Sequence, residues 1–100
     1  MVTKALLLRI EAKRGKEEAV ASLLREALAV VQGESQTKAW FAIRLDFATF
    51  GIFDAFPDEA GREAHLSGQV ATALKTRGEE LIERLVIEQV DVLAAKLPGA

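Results

Sequence analysis

Period-two and period-three-and-a-half hydrophobic patterns alternate along this chain in a fixed order, and that order narrows the possible folds more than any single motif. Val2 to Ala12 alternates as a strand, with Leu6, Leu8 and Ile10 on one face and Ala5 and Leu7 on the other. Lys13 to Lys16 reads as a turn, and Glu17 and Glu18 suit the positive end of a helix dipole. The helix runs to about Gln32 on a stripe of Val20, Leu23, Leu24, Ala27 and Val31, with Gly33 as its stop. Lys38 to Asp46 alternates again: Phe41, Ile43 and Leu45 on one face, Trp40, Ala42 and Arg44 on the other. After a short turn at 47–49 comes a strand from Phe50 to Phe56, with Phe50, Ile52 and Phe56 facing one way and Phe53 the other. Pro57 ends it, because proline cannot donate to a ladder. Asp58 is placed to cap a helix from about Asp58 to Leu66. That helix breaks at Ser67-Gly68 and resumes with Val70, Ala73, Leu74 and Leu81 on one face. Arg84 to Leu93 reads as the last strand, and Ala94 to Ala100 as a tail.

The resulting order is β-α-β-β-α-β, the ferredoxin-like split unit with a four-stranded antiparallel sheet. One hundred residues, half of them apolar, make a single domain over 1–100 with a true core. The strands are apolar on both faces, yet two helices cover only one face of such a sheet. The open face, expected to carry Trp40 and Phe53, would leave a large apolar patch in water. A second copy placed sheet to sheet resolves this, so a homodimer closing into an α+β barrel is expected.

Composition removes whole classes of function. A net charge of -2 gives no basic face for nucleic acid. Without cysteine there is no disulfide, thiolate ligand or thiol nucleophile. A single histidine would leave most of a metal's ligands to carboxylates, so neither metal nor cofactor is expected. No apolar run reaches the roughly 18 residues of a membrane span. Met1 to Lys4 leads straight into a strand, so no membrane partner and a cytoplasmic location are expected.

Proton chemistry near neutral pH has one natural address, the strand-helix corner from Phe50 to Leu66, which holds Asp54 and the lone histidine, His65. Read from the residues, His65 is either a general base oriented by Asp54 or a group that pins the second helix to the end of the sheet. Trp40 is either pocket wall or interface packing. Arg44, on the same strand face, is either an anion contact or half of an interface ion pair. Phe53 is the one pocket candidate among the phenylalanines of its strand. Arg62 lies three residues before His65 and reads more readily as a solvated helix charge than as part of the site.

The run Asp54-Ala-Phe56-Pro-Asp58-Glu59 with Glu63-Ala64-His65, the helix start Gly15-Lys-Glu-Glu18, and Trp40 in the second strand together resemble the antibiotic biosynthesis monooxygenase domains, which are dimeric α+β barrels. Phe56 stands where tryptophan is common in that family, the 46–49 hairpin is shorter, and the asparagine and tyrosine of some catalytic relatives are absent from this chain. The resemblance implies a cofactor-independent monooxygenase for a small aromatic or quinol-like compound. Its implied site has His65 and Asp54 as catalytic residues and Trp40, Arg44 and Phe53 as substrate contacts. The alternative is a non-catalytic, small-molecule-binding or stress-associated homodimer of the same fold. A haem-handling protein of this architecture is disfavoured by the missing asparagine.

Overall fold

The computed structural model describes residues 1–99. Its elements are β1 (Lys4–Ala12), α1 (Glu17–Val31), β2 (Ala39–Arg44), β3 (Thr49–Phe56), α2 (Glu59–Leu66), α3 (Gln69–Leu81) and β4 (Ile82–Asp91). The four strands form one antiparallel sheet in the order β2-β3-β1-β4. This is the ferredoxin-like β-α-β-β-α-β arrangement, with the second helical arm in two pieces.

The helices cover one face. Leu6, Ile10, Ile52 and Phe56 point up from β1 and β3, Val20 points down from α1, and all are essentially inaccessible to water. Each such side chain contributes about 1.5–3 kcal/mol by leaving water. Val70, Leu74 and Leu81 of α3 complete the layer. β4 starts two residues earlier than the alternation indicates. Ile82 is buried and pairs with Ala12 across an irregular step in the β1–β4 register, so the chain passes from helix to strand without a loop.

Register decides which side chains share a face. Trp40 lies opposite Asp54 across β2 and β3, and Phe41 lies opposite Phe53. Trp40 therefore packs against the helix-side core, and not on the open face where it was expected. The open face carries Phe41, Phe53, Ile43 and Leu7, all exposed. At one end of this face Val92 and Leu97 of the C-terminal segment pack on Val2, Ala5 and Ala55, leaving the rest uncovered.

α2 is tied down at its start and at its middle. Asp58 caps it by accepting from the Gly61 amide at 2.9 Å. Arg62, expected to be a solvated charge, is 6% exposed. Its Nη1 donates to the carbonyls of Ala5 (3.3 Å) and Val90 (3.1 Å), and its Nη2 donates to Glu59 at 3.1 Å. The guanidinium thus clips α2 to the ends of β1 and β4, a job for a planar multidentate donor. Arg62→Ala removes both strand contacts and leaves a void; it should cost roughly 2–4 kcal/mol by urea unfolding, with Arg62→Lys recovering less than half. A loss below about 0.5 kcal/mol would mean that the clip is idle.

Candidate functional site

Asp54 stands in the middle of the helix-covered face of β3 with no exposure at all. Leu6 and Trp40 flank it across the two neighbouring strands. A carboxylate so placed is costly unless a donor or a cation meets it. His65, in the last turn of α2 and 7% exposed, meets it: Nε2 lies 2.9 Å from Asp54 Oδ2. The other carboxylate oxygen, Oδ1, has no partner among the described residues. The ring is further located by Phe56, at 5.4 Å between centroids.

The other ring nitrogen is also engaged. Nδ1 lies 2.6 Å from Oε1 of Glu34, in the loop between α1 and β2. Thr37 Oγ1 donates to the same oxygen at 2.8 Å. The loop approaches closely because glycines stand on either side of His65, Gly61 in α2 and Gly68 at the start of α3. A Cβ at Gly61 would sit 3.2 Å from the Gln36 side chain, and one at Gly68 would sit 3.2 Å from the His65 carbonyl and 3.5 Å from Glu34 Oε2. Glu34, His65 and Asp54 thus form a row from loop to sheet.

Two spaces meet at His65. An inner pocket of about 240 Å³ lies between the sheet and α2–α3, walled by Leu6, Leu8, Ile52, Leu66, Val70, Leu74, Leu85 and Ile87. Its polar groups are Asp54 and His65, with Lys75 contributed by α3. An outer cleft of about 550 Å³ lies on the loop side and includes Glu34, Gln36, Thr37, Gly68 and Gln69. His65 borders both.

The surroundings set the protonation of the pair. Burial pushes the Asp54 carboxyl above its ordinary value of 3.8, and contact with His65 only partly offsets this. For His65 burial is the largest single influence and acts downward, but the bonds and charges of Asp54 and Glu34 together outweigh it, leaving the imidazole above 6.5. The row is a carboxylate–imidazole–carboxylate chain in which Asp54 and His65 hold their protons more tightly than in water.

Of the residues picked out from the sequence, His65 and Asp54 come together, the condition on which an orienting role for Asp54 depends. Trp40 is on Asp54's face, with its indole Nε1 buried and unpartnered among the described residues, but it does not line the inner pocket. Arg44 is at the far end of β2. It pairs with Glu18 of α1 at 2.8 Å, donates to the Phe47 carbonyl at 2.9 Å and lies over the Phe50 ring at 4.9 Å. It closes a hairpin over the start of α1 and takes no part in the His65 cluster. Phe53 is on the opposite face of the sheet from Asp54 and His65. Glu34 is the functional candidate that sequence reasoning passed over; it sits in a turn without periodicity, 31 residues from its partner.

A protein of unknown function from Nitrosomonas europaea, NE2512, superposes on this chain with a TM-score of 0.97 at 50% identity, covering 100% of this chain and 98% of that one. The two chains belong to one family. Beyond that family, the fold matches PA3566 from Pseudomonas aeruginosa (TM-score 0.81, 24% identity, 94% of this chain and 97% of that one). It also matches an antibiotic biosynthesis monooxygenase (TM-score 0.77, 17% identity, 91% and 99%). The family therefore has the antibiotic biosynthesis monooxygenase-like fold. No family model and no curated protein matches the sequence.

Because Asp54 and His65 both bind protons more tightly when folded, the native state carries the extra protons. Their contribution to stability is present below the unfolded values, 3.8 for Asp54 and 6.5 for His65, and is lost as pH rises through the raised folded values. The melting temperature should accordingly fall as pH rises above 6.5. In the Asp54→Asn/His65→Gln double variant, which has no titrating group at the pair, that slope should vanish. Parallel melting curves for the two proteins across this range would contradict the assignment.

Proposed function

We propose that the protein is a cofactor-independent monooxygenase that takes a small aromatic or quinol-like compound into the inner pocket. The observation that carries this reading is a pocket with apolar walls whose polar end is formed by Asp54 and His65, within a fold shared with an antibiotic biosynthesis monooxygenase. A cavity of about 150 Å³ already admits a benzene ring, so the volume here suits one or two rings. Asp54 Oδ2 faces His65 at 2.9 Å, and Oδ1, without a partner among the described residues, is available to a ligand hydroxyl. The Asp54–His65 pair takes the proton from the ligand, and the resulting anion reduces dioxygen in an apolar pocket whose open side, at exposed Lys75 and Ile87, the ligand itself would fill. For an anthrone-like substrate the balance is complete without a cofactor. A CH2 carbon becomes a carbonyl, one atom of O2 enters the product, the other leaves as water, and the substrate supplies all the electrons.

The reading takes the protein as a cytoplasmic homodimer. Leu7, Phe53 and Phe41 form an apolar row across three strands of the open face, continued by Ile43. A second copy would cover it and close the barrel. Arg44 and Trp40 act in this reading as supports of β2, and Phe53 acts as an interface residue.

One observation favours the alternative of a non-catalytic, small-molecule-binding or stress-associated homodimer: both ring nitrogens of His65 already face carboxylates, as in a purely structural clasp. Two measurements separate the readings. Oxygen uptake with a panel of quinols and anthrone-like phenols should fall about 100-fold or more in His65→Ala; unchanged uptake would remove the imidazole from the chemistry. In sedimentation at micromolar concentration the native protein should run as a dimer and Phe53→Asp as a monomer. A native monomer would end the barrel argument.

A further inference from the structure

His65 is the one side chain that borders both the inner pocket and the outer cleft, and each of its ring nitrogens faces a carboxylate on a different side. Asp54, on β3, is wholly enclosed. Glu34, on the loop between α1 and β2, lines the open cleft with its side chain 22% exposed. Among the described residues, Lys75 of α3 is the only other charged residue on the inner pocket, and Arg62 is turned away to the ends of β1 and β4. The pocket opens past exposed Lys75 and Ile87, so a buried carboxyl that trades protons with a ligand seated there needs a route to water that the ligand does not block, and the apolar walls give none.

We infer that Glu34, His65 and Asp54 form a proton path through the base of α2, with Glu34 as its solvent-facing terminus. Its use in catalysis rests on the monooxygenase reading; the path itself follows from the three side chains. As a ligand O–H bond breaks, an O–H bond forms on Asp54. Asp54 passes a proton to His65 Nε2, the Nδ1–H bond breaks toward Glu34 Oε1, and Glu34 gives its proton to water in the cleft. Protonation of the reduced oxygen in the pocket runs the same transfers in reverse, which returns the ring to its starting tautomer. Glu34 is thus a positioning and proton-transfer residue that never touches the ligand.

Glu34→Gln isolates this role. The amide oxygen can still accept from Nδ1 and from Thr37, so the loop stays in place, but the amide cannot carry a proton onward. His65 is the sole histidine, so its ring resonances in a 15N-labelled native homodimer are unambiguous. At a pH where the ring carries both protons, which the two flanking carboxylates favour, the enclosed Nε2–H of the native protein should exchange quickly with water by saturation transfer. In Glu34→Gln the exchange should slow at least about tenfold, and the ring should titrate at a lower pH than in the native chain. Exchange at the native rate in Glu34→Gln would overturn the path, whatever the enzyme does. With a turned-over substrate, Glu34→Ala should lose kcat with little change in KM and regain it on addition of formate or imidazole, small enough to enter the cleft. Loss without rescue would make Glu34 a structural clasp only. Absence of oxygen uptake by the native protein across the whole panel would instead defeat the monooxygenase reading, leaving the exchange result to decide the path.

Discussion

A carboxylate with no access to water, set in the middle of an apolar sheet face, organises much of this structure. Asp54 cannot stand there alone, because an isolated ionised group in such surroundings costs several kcal/mol. His65 answers it from α2, and Glu34 answers His65 from the loop beyond α1. The polar row therefore fixes the position of one helix and one loop relative to the sheet. Asp58 and Arg62 act on the same helix, one at its start and one at its middle. The glycines at 61 and 68 let the loop come close enough for Glu34 to reach the ring.

The same geometry separates two uses of the sheet. Its helix side holds the core, the inner pocket and the proton-holding row. Its open side holds Leu7, Phe41, Ile43 and Phe53. Aromatic residues are spread over both, so composition alone cannot assign them to pocket or interface. The pairing of Phe41 with Phe53, and of Trp40 with Asp54, does.

Much of the fold was legible in the residues. Periodicity marked every strand and helix, Pro57 and Asp58 marked the corner, and Ser67-Gly68 marked the break between α2 and α3. The start of β4 was not legible, because no turn residue stands between Leu81 and Ile82. Within the candidate site, Asp54 and His65 could be paired because they flank one corner. Trp40 was assigned to the wrong face because a strand that is apolar on both sides does not reveal which side the helices cover. Arg62 was misread because an arginine on a short helix is ordinarily solvated, and only the nearby strand carbonyls made burial affordable. Arg44 was separated from the site by strand length: it pairs with Phe50, while Trp40 pairs with Asp54.

By itself the sequence determined the order of elements, the sheet-and-helix layering, the unpaired apolar face and the corner that carries Asp54 and His65. These follow from local periodicity and from turn and capping chemistry, which act over a few residues. Only the tertiary structure decided that Glu34 joins His65, that Arg44 pairs with Glu18, and that Trp40 lies on the side of the helices. Those outcomes depend on strand register and on the close approach of segments far apart in the chain. A period-two pattern leaves the choice of face open until both faces have met their neighbours.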